Sequence, residues 1–162
     1  MKANAKTAGK TASANVRGAM LEDVGNEYDD HARAFLVDTG ARMSARYLGE
    51  LPTEWDNGRY HCAYAVTISS ASGKMCIRFF DSLMNTENGE RVIRAYDVLT
   101  CLTKSEPGTF DDFCADYGFF PINSGADYRR AVKTWRACVR EYAGVCRVWP
   151  DAAAREALSE IC

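Results

Sequence analysis

No stretch of this sequence approaches the roughly 18 uninterrupted apolar residues that a membrane-spanning helix needs, and its opening residues lack the apolar block of a secretory signal. A soluble, cytoplasmic protein with no membrane partner is therefore expected. Histidine is scarce, with only His31 and His61, and no CxxC pair accompanies them. Zinc would need ligands gathered from distant segments, and nothing in the spacing asks for that. The GxSxG, HExxH, GxGxxG and P-loop patterns are all missing, which removes the sequence signatures of several large enzyme classes. No internal repeat is present. The expectation is a protein with no cofactor, no metal site and no catalytic residue.

At 162 residues the chain is long enough for one domain with a real core, and its 47% apolar and 11% aromatic content is ordinary for a globular protein. Cysteine is the compositional outlier, with seven residues: Cys62, Cys76, Cys101, Cys114, Cys138, Cys146 and Cys162. An odd count without an export signal argues for free thiols, and thiols inside apolar runs act as small core hydrophobes. The net charge is −2, unevenly spread: residues 1–19 carry Lys2, Lys6, Lys10 and Arg17 and no acid. That segment is poor in apolar residues and is expected to be a disordered basic tail, leaving residues 20–162 as a single α+β domain. A solvated leader and a segment touching nucleic acid both fit the tail. The acidic remainder argues against indiscriminate nucleic-acid binding by the whole domain.

The periodicity predicts a first helix starting near Asn26, with Asp29 three residues on to meet free amides at its N-terminus. Tyr28, Ala32, Phe35 and Leu36 form its apolar stripe, and Gly40 stops it. Period 2 follows. Ala41, Met43, Ala45 and Tyr47 alternate with polar residues. Tyr60, Cys62, Tyr64, Val66 and Ile68 face one way while Arg59, His61, Ala63, Ala65, Thr67 and Ser69 face the other, and Met75, Ile77 and Phe79 resume the alternation after the turn at Ser70-Ala71-Ser72-Gly73. These three strands should form an antiparallel meander with one face needing cover. Helices follow: a short one through Tyr96, Leu99 and Leu102, and one from Thr109 to Gly118 with Asp112 in a capping-box position. The longest opens at Ser124 with Asp127, carrying Tyr128, Val132, Trp135, Val139, Tyr142 and Cys146 as its stripe. A last helix starts at Pro150-Asp151. The fold class is thus α+β, a three-stranded antiparallel sheet packed by about five helices, mostly C-terminal.

Four candidate sites emerge. Arg129, Lys133, Arg136 and Arg140 step by four, three and four, so they line one side of the long helix and could grip phosphates or an acidic protein surface. The plainer reading is a solvated face paired with Asp127 and Glu141. Asp111, Asp112 and Asp116 could serve acid–base or metal chemistry, although first-turn acids are favoured by the helix dipole whatever their function. Trp55, in the polar loop from Leu51 to Gly58, reads equally as an interface anchor and as a lid on the sheet. A Cys–His pair has poor candidates: His61 and Cys62 point to opposite faces of a strand, and His31 lies off its helix's apolar stripe.

With Tyr96-Asp97-Val98-Leu99 and the segment from Pro107 to Gly118, PGTFDDFCADYG, in view, the sequence resembles a family of small proteins from phages and other mobile genetic elements. Members share a YDVL-type helix, a linker ending in PGTF and a DDFC-type helix closing on tyrosine and glycine. The resemblance spans about residues 40–150. It departs where an acidic GYD-x-DS turn would follow, because Gly118-Phe119-Phe120-Pro121 stands there. The resemblance implies a non-enzymatic protein that binds and inhibits a host defence complex, of the anti-CRISPR kind, in a prokaryotic host. Its partner would be a host protein or ribonucleoprotein, met by Arg129, Lys133, Arg136, Arg140, Trp55, Asp111 or Asp116. Two alternatives stand beside it. One is a nucleic-acid-binding accessory protein using the same basic ridge. The other is an enzyme whose polar cleft is assembled only in space.

Overall fold

The computed structural model describes residues 19–21, 27–51, 62–81, 86–87 and 90–161. Strand β1 is Ala19–Leu21 and helix α1 is Glu27–Asp38. Strands β2 (Arg42–Glu50), β3 (Cys62–Ser69) and β4 (Lys74–Asp81) form the antiparallel meander, in the order β2-β3-β4. Strands β5 (Thr86–Glu87) and β6 (Glu90–Ile93) follow, then helices α2 (Ala95–Thr100), α3 (Phe110–Asp116), α4 (Gly125–Val148) and α5 (Ala152–Ser159). The α+β architecture is the one expected.

The meander's register follows from its alternation. Met43, Ile68 and Met75 lie in one cross-strand row, Ala45, Val66 and Ile77 in the next, and Tyr47, Tyr64 and Phe79 in a third. All sit on the inner face, where nearly every one is buried. The register slips between Tyr47 and Gly49, where Gly49 adopts φ 130, a value that favours glycine. A second sheet was not expected from the sequence. In it β6 pairs in parallel with β1 and antiparallel with β5. Ala19, placed by composition in the tail, is paired there with Arg91. Strands of two to four residues carry too little alternation to be seen, and parallel pairing across some 70 residues leaves no local mark.

Helix α1 lays Ala32, Phe35 and Leu36 into the core, while Tyr28, assigned to the same stripe, stays 63% exposed beside Tyr96. Asp29 is fully buried, and its Oδ1 accepts from the Tyr96 amide at 3.3 Å, so it also serves the first turn of α2. Arg33 Nε lies 3.2 Å from its other oxygen. The anticipated caps are present elsewhere: Thr109 Oγ1 accepts from the Asp112 amide, Ser124 Oγ from Asp127, and the Asp151 carboxylate from Ala153. Trp149, just beyond α4, is buried against Phe35 at 5.3 Å and donates its indole N–H to Thr39 Oγ1 at 3.0 Å.

The cysteines divide. Cys62 and Cys114 are buried as core hydrophobes, Cys138 and Cys146 are half-buried, and Cys76 and Cys101 are exposed, so core filling accounts for only part of the set.

Candidate functional site

Helix α4 has 24 residues and runs about 36 Å, and its sides do different jobs. Its buried residues are Ala131, Gly144, Val145 and Val148. This is a correction to the stripe read from the sequence. Tyr128 and Val139 of that stripe are 52% and 39% exposed, and Val132, Trp135, Tyr142 and Cys146 are half-buried. The reason is that α4 has two neighbours. Towards its C-terminus it packs on β4, where Gly144 sits so close that a Cβ there would lie 2.9 Å from Met75 Cβ. Towards its N-terminus it meets α3, with Phe110 edge-on to Tyr128 and Trp135, each at 5.7 Å. Trp135 also donates its indole N–H to the Gly108 carbonyl at 3.2 Å.

Arg129, Lys133, Arg136 and Arg140 come together as expected, all exposed, around a shallow groove of about 480 Å³ that also includes Tyr128 and Val132. The acids expected to neutralise them are engaged elsewhere. Glu141 Oε1 accepts from the amide and hydroxyl of Thr103, at 2.7 and 3.0 Å, and so anchors the segment after α2. Asp127 lies 3.6 Å from Arg130. Among the described residues, none of the four ridge cations has an acid within ion-pair distance. The result is a line of uncompensated cations beside a half-exposed strip of Tyr128, Val132 and Val139. The sequence showed the ridge but placed the apolar strip inside.

Asp111, Asp112 and Asp116 are all exposed on α3. Asp112 is committed to the cap, its Oδ2 accepting from Thr109 Oγ1 at 2.7 Å. No group of three or more metal-ligating side chains occurs among the described residues. Trp55 and His61 lie outside the described residues. Helix α3 is held by stacking: Phe113 lies 4.3 Å from Tyr117 and 5.9 Å from Phe119, ring centroid to ring centroid, and Arg130 sits over Phe119 at 5.8 Å.

A second concavity, of about 600 Å³, lies between α1, α2 and the C-terminal end, lined by Glu27, His31, Asp38 and Glu160 together with Tyr28 and Tyr96. It gathers titratable groups, as an enzyme reading requires. Its aliphatic hydroxyl, Thr39 Oγ1, donates to the Phe35 carbonyl at 2.8 Å and accepts from Trp149, and no cysteine among the described residues lines it. Desolvation, only partial at the exposed Cys101, raises the thiol pKa of Cys101, Cys114 and Cys138, with Asp97 and Glu141 adding to it at Cys101 and Asp111 at Cys114. That direction is opposite to the one that activates a thiolate nucleophile. No helix among the described residues is long and apolar enough to cross a membrane. No protein-family model, curated protein or solved structure matches this chain.

Proposed function

We propose that this protein acts without catalysis, as a mobile-element product that docks on a host defence complex of the CRISPR type and blocks it. The observation that carries the docking element is the exposed ridge Arg129–Lys133–Arg136–Arg140 lying beside Tyr128, Val132 and Val139 with no acid paired to it among the described residues. Arginine and tyrosine flanking apolar side chains are the residue types that dominate protein interfaces. Uncompensated cations steer such a surface onto an acidic partner and fix its orientation there. The choice of a defence complex as partner rests on the resemblance carried by the YDVL and PGTFDDFCADYG segments.

Affinity capture from a CRISPR-bearing host tests the reading. The wild-type protein should recover effector subunits and reduce interference, and the Arg136→Glu/Arg140→Glu variant should lose both while staying folded. Recovery of no effector together with undiminished interference would refute it. A second reading, nucleic-acid binding along the same ridge, is favoured by the missing counter-acids alone. It predicts that Arg136→Gln/Arg140→Gln lowers the salt slope of duplex binding by about 1.8. A duplex that fails to bind at low salt removes it.

A further inference from the structure

The outer face of the meander carries a charge pattern that no reading of the long helix uses. In the strand register Arg42 lies across from Ser69 and Lys74, Ser44 from Thr67 and Cys76, and Arg46 from Ala65 and Arg78. All these residues alternate with the buried rows, so they share the face away from the core. Arg42, Arg46, Lys74 and Arg78 are exposed, as is Cys76 between the last two. The four cations therefore stand at the corners of a rectangle. Two inter-strand spacings make it about 10 Å wide, and four residues of strand make it about 13 Å long.

The floor between the two rows is made of Ser44, Ala65, Thr67, Ser69 and Cys76, all small, so nothing projects from it; Thr67 Oγ1 and Cys76 Sγ are in hydrogen-bond contact at 3.4 Å. No acid occupies any of these positions. Glu50 and Asp81, the strands' own acids, are in register with Cys62 of the inner row. Among the described residues none of the four cations has an ion-pair partner. At one end the guanidinium of Arg78 lies 5.7 Å from the Phe80 ring centre, a cation–π contact on the same face.

We infer that this face is a second binding surface and that it takes a single strand of nucleic acid. A floor of small side chains about 10 Å wide between two rims of long cationic side chains suits one extended polynucleotide. Its phosphates would meet the arginines and lysine, and its bases would lie over the small residues and the guanidinium planes. A duplex keeps its bases stacked inside and would leave the floor of small residues unused. An acidic protein segment would satisfy the charge but would not use a floor open to flat rings. Neither the ridge nor the partner proposed for it enters this inference.

The full chain tests it, with a short fluorescent single-stranded oligonucleotide of mixed sequence. Arg42→Gln/Arg46→Gln should weaken binding about tenfold and reduce the salt slope by about 1.4, the share of two phosphate contacts. Arg130→Gln, whose guanidinium belongs to neither surface and already lies 3.6 Å from Asp127, should stay within about twofold of wild type. The wild-type protein supplies a readout free of any variant. Bound oligonucleotide should slow alkylation of Cys76 several-fold and leave that of Cys101 unchanged, followed by peptide mass spectrometry. The inference is overturned if Cys76 reacts equally fast with and without oligonucleotide. It is likewise overturned if polyglutamate protects Cys76 as well as the oligonucleotide does, or if only the ridge variant Arg136→Gln/Arg140→Gln loses binding. Failure to capture a defence effector would leave all of these outcomes unaffected.

Discussion

A carboxylate at position 29 has no water around it, and its two oxygens serve the Tyr96 amide and the Arg33 guanidinium. Removing it leaves a charge and a helix-terminal amide without their partner, the arrangement in which buried polar groups cost most. Asp29→Ala should lower the unfolding free energy by about 3 kcal/mol in urea titration. Asp29→Asn keeps an acceptor for Tyr96 and should cost less. Equal losses for the two variants would show that the bond to α2 contributes nothing. The thiols give a prediction in pH. Desolvation, only partial at the exposed Cys101, holds Cys101, Cys114 and Cys138 above the ordinary value of 9.0, so on crossing 9.0 the unfolded chain gives up protons that the folded chain keeps. Their contribution is thus fully present below 9.0 and is lost as pH rises through the folded values. Thermal midpoints should fall on going above 9.0, and less steeply in Cys114→Ala. The sequence marked Asp29 and the thiols but gave no sign of the bond between Tyr96 and Asp29, because a partner 67 residues away is invisible to local spacing.

At the scale of elements, two glycines in α4 separate helix propensity from packing. Gly125 opens the helix, and a Cβ there would meet only Arg129 Nη1, at 3.3 Å, the far end of a flexible side chain. Gly125→Ala should therefore stabilise the protein by about 0.5 kcal/mol. Gly144 faces Met75, whose Cβ cannot swing away. There the gain of about 1 kcal/mol in propensity is outweighed by overpacking of about 1–3 kcal/mol. Gly144→Ala should be net destabilising by thermal unfolding, and a higher midpoint would mean that the α4–β4 contact yields easily. The elements themselves were legible, with the caps at Thr109, Ser124 and Asp151 all found in place. The face of α4 that turns inward was not. Its aromatic stripe looked like the core stripe, yet the residues it buries are the small ones Ala131, Gly144 and Val145, and at Gly144 the sheet comes closest.

For the molecule as a whole, the four ridge cations of α4 form no ion pair among the described residues. Arg136 and Arg140 are like charges four residues apart on a helix, an arrangement that costs a few tenths of a kcal/mol. Arg136→Gln/Arg140→Gln should therefore leave stability at or slightly above that of wild type in urea titration. A loss near 2 kcal/mol would mean that these arginines hold the fold together and are not held ready for a partner. The sequence by itself determined the α+β class, the meander and its inner rows, the five helices, and the presence of the ridge. Each of these is written in periodicity and end signals within a few residues of one another. The tertiary structure alone decided that Glu141 turns to Thr103, leaving the ridge without its expected acid. It also decided that two short strands far apart in the chain pair in parallel, and that Arg42, Arg46, Lys74 and Arg78 share one open face. The physical reason is the same in each case. Charge pairing, strand pairing and the squaring-up of side chains across a sheet depend on distances in space, which the order of residues sets only after the chain has folded.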